Sequence, residues 1–311
     1  MKYCPITYEP IADDKSYSEH GLKLLSPQLK QLNPLPYSAQ EQRDEAIARA
    51  GKISIQGVQD KLSAKLNIKD NCFEVVDHAG QYILKPPNAY YPELPANEAI
   101  TMTMAKMIGL QVPVHGLLFA ADGSMTYFIK RFDRKGHGQR IHTEDFSQLS
   151  GHNRDTKYTS SMEKVAKILS NLCSFPKVEA EKLFKLCLFN YLIGNEDMHL
   201  KNFSLIEIDK KVSLTPAYDL LNTSIAQKNT KEELALPLNG KKNNLLKRDL
   251  IEYFGSDVLQ LSKHSIDETL GTINQALPDW KEYIGRSFLS AGMKDKYLTL
   301  LNERVKKMGL G

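Results

Sequence analysis

Apolar positions recur at two spacings along this chain, and the spacing changes near residue 131. Before that point, short alternating runs dominate. ISIQGVQDKLSAKLNI (53–68) is rich in β-branched residues and alternates in polarity, which predicts two strands flanking a turn at Gly57. FEVVD (73–77) and QYILKP (81–86) predict further short strands with DHAG between them. VHGLLFA (114–120) and MTYFIKRF (125–132) predict a hairpin around Asp122-Gly123. One helical stretch interrupts the series: ANEAITMTMAKMIGL places Ile100, Met104, Met107 and Ile108 on one face and stops near Gly109. After residue 131 the period becomes helical. SMEKVAKILSNL (161–172) and KVEAEKLFKLCLFNYLIG (177–194) predict strongly amphipathic helices, and KDKYLTLLNERVKKM (294–308) predicts a last one. Two short strands, FSLIEI and KVSLTP, are expected around Asp209-Lys210. Residues 1–52 have an irregular pattern broken by five prolines, with one helix expected from Ser38 to Ala50, where Ser38 and Glu41 form a capping-box pair. The organisation is therefore a β-rich half, 1–131, and a helical half, 132–311.

Composition narrows the class without choosing a function. The chain has 311 residues, enough for two lobes with their own cores, and a net charge of +4 with no long basic block. That permits an acidic partner but argues for none. Four scattered cysteines without CxxC spacing predict reduced, mostly buried thiols; Cys4, Cys72 and a histidine are a weaker metal-site alternative. The N-terminus lacks a secretory apolar core, and no run approaches the ~20 apolar residues of a membrane span, so a cytoplasmic protein is expected.

The stretch Gly194-Asn195-Glu196-Asp197-Met198-His199-Leu200-Lys201-Asn202 changes the picture most. It lies between an apolar helix and a strand pair, and sets an aspartate and an asparagine five positions apart. Phosphoryl transfer needs a carboxylate near the attacking hydroxyl and an oxygen ligand for Mg²⁺ a short way off, and the Asp-x4-Asn spacing meets both needs. Asp219, in TPAYDLL, is placed to supply a second metal carboxylate. An Asp-x4-Asn pair alone is a weak signal, and Glu196 is an equal candidate by residue type. Two weaker elements accompany it. The turn Ser54-Ile55-Gln56-Gly57-Val58-Gln59-Asp60-Lys61 can offer backbone N–H groups and a cation to phosphates, although alone it reads as a hairpin turn. Lys85 on a strand, with Glu98 opening the next helix, fits a phosphate-binding lysine and its partner, although a lone strand-end lysine is common.

These segments, in this order, resemble the HipA family of bacterial serine/threonine kinase toxins. The matching stretches are SIQGVQDKLSA (54–64), YILKPP (82–87), NEAITMTMAKMIGL (97–110), FIKRFDR (128–134), HTEDFSQLSG (142–151), GNEDMHLKNFSL (194–205), LTPAYDLL (214–221) and LALPLNGK (234–241). The resemblance implies an α+β, bilobal, protein-kinase-like fold with a β-rich N-lobe and a helical C-lobe. It implies ATP and Mg²⁺, Asp197 as the catalytic carboxylate, and Asn202 and Asp219 as metal ligands. It implies nucleotide contacts from Gln56, Gly57, Val58, Gln59, Asp60, Lys61, Lys85, Lys130, Arg131, Phe132, His199, Lys201 and Tyr218. Ser54 matches the serine that these kinases phosphorylate on themselves, where an added phosphate dianion would repel ATP.

Only 53 residues precede Ser54, so the chain resembles the short type, HipT. The resemblance implies as partners a small protein like the missing N-terminal subdomain, a DNA-binding antitoxin, and an aminoacyl-tRNA synthetase as substrate, tryptophanyl-tRNA synthetase being the short type's association. No direct nucleic-acid or membrane contact is required, and delivery into a host cell stays open. The hinge reads Lys-Arg-Phe-Asp where long members carry Glu-Arg-Phe-Asp, which leaves a side-chain role for Lys130 in question. A lipid or small-molecule phosphotransferase and a catalytically silent toxin–antitoxin component are the alternative readings.

Overall fold

The computed structural model describes residues 1–49, 59–136, 138–151, 157–226 and 232–311. Ser54, Gln56, Gly57 and Val58, with the strand and turn expected there, lie outside the described residues.

The N-terminal segment is ordered, against the irregular reading. β1 (Lys2–Tyr3) and β2 (Pro10–Ile11) pair antiparallel. α1 (Glu19–Leu25) is capped by the Ser18 hydroxyl, which accepts the Gly21 N–H at 3.0 Å. Leu22, Leu25, Leu29, Leu32 and Leu35 then join Cys4 and Ile6 in a hydrophobic core. Elements of two to seven residues are shorter than the window over which periodicity can be read, which is why the pattern missed them. α2 (Ala39–Arg49) begins with the expected capping box. The Ser38 N–H donates to the Glu41 carboxylate at 2.7 Å, and the Ser38 hydroxyl accepts the Glu41 N–H at 3.2 Å.

The sheet that follows consists of β3 (Leu62–Asn67), β4 (Cys72–Val75), β5 (Tyr82–Lys85), β6 (His115–Phe119) and β7 (Met125–Lys130), with α3 (Leu94–Met107) between β5 and β6. Its order is β4-β3-β5-β7-β6, antiparallel throughout, with Leu62 opposite Leu84 and Leu84 opposite Phe128. Alternation delivers Leu62, Ala64, Phe73, Tyr82, Leu84 and Phe128 to the same core as the N-terminal leucines. The β6–β7 hairpin turns through Asp122 and Gly123 as expected, with Gly123 at φ +78°. Gly116 is required by packing: a Cβ there would lie 3.0 Å from both the Ile6 Cα and the Phe128 ring. A small antiparallel pair, β8 (Arg134–Lys135) and β9 (Gln139–Arg140), follows. Residues 1–100, 113–140 and 285–290 form one compact unit, and residues 101–112, 141–284 and 291–311 form a second.

The second unit is mainly helical. Its elements are β10 (Thr143–Asp145), α4 (Phe146–Leu149), α5 (Met162–Leu172), α6 (Pro176–Ile193), β11 (Ser204–Ile208), β12 (Lys211–Leu214), α7 (Thr223–Ala226), α8 (Lys263–Arg286) and α9 (Ala291–Met308). α5 is amphipathic as its sequence predicts, burying Met162, Val165, Ala166 and Leu169 behind a Ser161 N-cap. α6 departs from that pattern. From Leu186 to Ile193 every side chain is buried, so its C-terminal half has no solvent face. There Phe189 meets Trp280 of α8 edge-on at 5.4 Å, and the Trp280 indole N–H donates to the Met104 carbonyl at 3.1 Å. β11 and β12 form the expected hairpin, with Asp209 (φ +51°) and Lys210 (φ +61°) both left-handed at the turn. β10 adds a third strand beside β11 that the polar sequence HTED did not announce.

All four cysteines are free thiols. Cys4, Cys173 and Cys187 are buried and Cys72 partly so, and burial pushes the Cys187 thiol up to about 12. Among the described residues, no group of three His, Cys, Asp or Glu side chains is placed to hold a metal ion, and no helix is long and apolar enough to cross a membrane.

Candidate active site

The loop after α6 is built by backbone capture. Gly194 ends α6 in the left-handed conformation (φ +74°), with its N–H returning to the carbonyls of Asn190 and Tyr191. Buried Asn195 then bridges outward. Its amide N–H₂ donates to Asn190 Oδ1 at 2.9 Å and to the Asp219 carbonyl at 3.5 Å, and its Oδ1 accepts the Asp197 N–H at 3.3 Å. The Asp197 carbonyl accepts from the His199 N–H at 2.8 Å and from the Asn202 side-chain amide at 2.9 Å. Asn202, with its nitrogen so engaged, keeps its amide oxygen as the atom suited to a hard cation.

Glu196 is committed to structure. Its Oε1 accepts from the Ser224 hydroxyl at 2.5 Å and faces the Arg304 guanidinium at 3.5 Å, while the Arg304 NH1 donates to the Tyr191 carbonyl at 2.8 Å. Among the described residues, Asp197 is the less engaged of the two adjacent acids: its Oδ1 accepts from the Tyr158 hydroxyl at 2.5 Å.

Three further predicted residues surround it. Tyr218 bolts the loop to the hairpin: its hydroxyl donates to the Lys201 carbonyl at 2.9 Å and meets the Ser204 hydroxyl at 2.6 Å. Asp219 sits at φ +54°, a left-handed backbone that a non-glycine residue adopts only when its surroundings hold it there. Half-buried Lys201 lies within electrostatic reach of Asp145.

His199 is buried and lies within the fields of both Asp197 and Asp219. Its Nε2 meets the Lys157 ammonium at 2.7 Å and its ring meets Tyr158 edge-on at 5.0 Å. Burial, then the Lys157 charge, hold its pKa below the ordinary histidine value, while Asp197 opposes the shift. Below about pH 6.5 the unfolded chain therefore takes up a proton that the folded chain resists, and stability falls as pH falls. The slope reaches at most about 1.4 kcal/mol per pH unit. The urea midpoint of His199→Gln should decline less steeply than that of the wild type over that range; parallel curves would refute the neutral buried imidazole.

Gly194 carries a second expectation. A Cβ there would stand 2.6 Å from Leu300 Cδ2, 2.7 Å from Ser224 Oγ and 2.9 Å from Asn222 Oδ1. Gly194→Ala adds that clash to an unfavourable φ, so a loss of about 1–3 kcal/mol is expected, read as a lowered urea midpoint. An unchanged midpoint would show that the loop adapts freely.

In the first unit, Lys85 ends β5 and pairs with Glu98 of α3 at 2.6 Å, the two side chains being 3% and 1% exposed. The Lys85 ammonium lies 5.5 Å from the Tyr127 ring centroid. Gln59, Asp60 and Lys61 are half-buried just before β3. Lys130 is exposed and stands opposite Tyr82, three positions along β5 from Lys85, or about 10 Å of strand. Arg131 forks onto Asp133 at 2.9 and 2.7 Å, so its guanidinium serves the local turn, and Phe132 beside it is half-buried. Six of the predicted residues, Asp197, His199, Lys201, Asn202, Tyr218 and Asp219, thus come together in the second unit. Lys85 and Glu98 pair in the first. Lys157, Tyr158 and Arg304 were not singled out from the sequence; none belongs to a motif, and only folding brings them to the loop.

Comparison with known proteins gives one consistent answer. The HipA-like C-terminal domain family matches residues 53–280. A Haemophilus influenzae protein named "Putative kinase" is 32% identical over all of this chain and 98% of its own length. The Shewanella oneidensis serine/threonine-protein kinase toxin HipA is 26% identical over 73% of this chain; the chain spans only 56% of that relative. The solved structure of Shewanella oneidensis HipA, in a complex with HipB and operator DNA, superposes with a TM-score of 0.70 at 23% identity, covering 91% of this chain and 74% of that one.

Proposed function

From the membership of this chain in the HipA-like C-terminal domain family, we propose that it is an ATP-dependent protein serine/threonine kinase of the toxin type. The observation that carries this reading is the gathering of Asp197, Asn202 and Asp219 around one loop whose shape is set by hydrogen bonds between the Asn195 and Asn202 side-chain amides and the backbone. In this reading Asp197 accepts the proton of the incoming hydroxyl as its oxygen attacks the γ-phosphorus. Asn202 and Asp219 would hold Mg²⁺, whose charge would screen the phosphates; an amide oxygen and a carboxylate are hard donors of the kind this ion prefers. Lys85, kept in place by Glu98, and Gln56 to Lys61 orient the phosphates. Lys130 to Phe132, about 10 Å along the strand from Lys85, pack against the base. His199, Lys201 and Tyr218 fix the loop beside the nucleotide. The work of the site is positioning and charge stabilisation.

The finer reading follows the family. The chain is of the short HipT type, acts in the cytoplasm on an aminoacyl-tRNA synthetase, is restrained by antitoxin partners, and switches itself off by phosphorylation at Ser54. Incubating the chain and a cell lysate with γ-labelled ATP tests both levels. Label in a protein band, identified by mass spectrometry, and phosphate on Ser54 are the expected results. Label only in lipid or sugar would replace the protein-kinase reading with a small-molecule one, and unmodified Ser54 in an active sample would remove the self-inactivation step.

A further inference from the structure

Lys157 and Tyr158, consecutive in the chain, both close onto the loop that carries Asp197. The Tyr158 hydroxyl donates to Asp197 Oδ1 at 2.5 Å, and the Tyr158 ring lies edge-on to His199 at 5.0 Å and 82°. The Lys157 ammonium reaches His199 Nε2 at 2.7 Å and stands 4.8 Å from the Tyr158 ring centroid. Two independent contacts, hydroxyl and ring, therefore fix where that hydroxyl sits.

That position is the one an acceptor must take. In phosphoryl transfer by this class of site, the substrate hydroxyl donates its hydrogen bond to the loop aspartate before attack. Tyr158 does so already. Two other features suit an acceptor better than a structural tie. The tyrosine is 40% exposed, so the bond does little for the core. Partial burial and the neighbouring carboxylate also push its pKa above the ordinary phenol value, so it presents a protonated hydroxyl, as serine or threonine would.

Resting on the phosphotransfer reading of Asp197, we propose that Tyr158 is a phosphoacceptor in cis, a modification site additional to Ser54. The Tyr158 oxygen forms a bond to the γ-phosphorus of ATP. The bond from that phosphorus to the β–γ bridging oxygen breaks, and ADP leaves with the electron pair. The phenolic proton passes to the Asp197 carboxylate and from there to solvent. Lys157 supplies a cation beside the new phosphate, which carries about −1.5 to −2 charge. Until the tyrosine leaves Asp197, an external hydroxyl competes with it for the same carboxylate.

The test uses the full chain with Mg-ATP, with dephosphorylated casein as a separate acceptor and tandem mass spectrometry as the readout. The expected result is phosphotyrosine at 158, formed at a rate per chain that does not change on dilution, and lost in Asp197→Asn. Tyr158→Phe should lose that phosphopeptide and transfer to casein faster than the wild type. Phosphate on casein or elsewhere in the chain with an unmodified Tyr158 peptide overturns the proposal and leaves the kinase reading standing. A rate that rises with chain concentration overturns the cis assignment. Slower casein transfer by Tyr158→Phe would make the tyrosine a positioning residue instead. No phosphate on any acceptor would bring down the kinase reading and this proposal with it.

Discussion

Asp197→Asn is expected to lower phosphoryl transfer by about 10²–10⁴-fold, the usual worth of a positioned general base, while nucleotide binding persists. The reason for expecting a clean loss is where the loop's contacts attach. Asn195 holds residue 197 through its backbone N–H, and His199 and Asn202 hold it through its backbone carbonyl. Among the described residues, the Asp197 carboxylate accepts from the Tyr158 hydroxyl, and an asparagine oxygen can accept the same bond. The substitution thus removes proton affinity and charge while the frame stays. Asn202, Asp219 and Lys85 are untouched, so calorimetric titration with Mg-ATP should give an affinity near that of the wild type. Label transfer at the wild-type rate would remove Asp197 from its role. Loss of both binding and folding would instead mean that the side chain is a scaffold group, as Glu196 is.

The Glu196–Asp197 pair also shows how far residues alone can be read. Adjacent acids in a loop cannot be ranked from sequence, because either type can serve. The ranking comes from Ser224 and Arg304, distant in the chain, which engage Glu196 and not Asp197. The legible parts were local: the Ser38 capping box, the Asp209-Lys210 turn, the strand alternation around Leu84, and the Asp-x4-Asn spacing all concern neighbours within a few residues. The illegible parts were of two kinds. β1, β2 and α1 are too short for their period to register, yet α1 supplies Leu22 and Leu25 to the first unit's core and β2 packs Ile11 against it. α6 looked one-sided because Lys182 and Lys185 interrupt its apolar run, whereas Trp280 packs on Phe189 and Arg304 on the Tyr191 carbonyl in its C-terminal half. Tyr158 belongs to neither kind. It follows no spacing rule, and only its meeting with Asp197 gives it meaning.

The buried Lys85–Glu98 pair should give the second large effect, and one that separates stability from chemistry. At 3% and 1% exposure, neither charge is hydrated by bulk water. Desolvating each ion is costly, and the 2.6 Å contact offsets that cost. Glu98→Ala takes this carboxylate away from a buried ammonium, and Lys85→Met takes this ammonium away from a buried carboxylate. Each single change is expected to destabilise by about 3–5 kcal/mol, read from urea unfolding. Lys85→Met combined with Glu98→Leu removes both charges and restores apolar bulk, so the double variant should cost far less than the sum of the singles. Phosphoryl transfer should follow the opposite order of rescue. The double variant regains folding but still lacks the cation that the kinase reading sets against the phosphates, so its label transfer stays as low as that of Lys85→Met. Additive losses in the unfolding cycle would show that the two side chains are not coupled. Recovery of transfer together with stability would show that Lys85 supports the sheet and has no part in handling ATP.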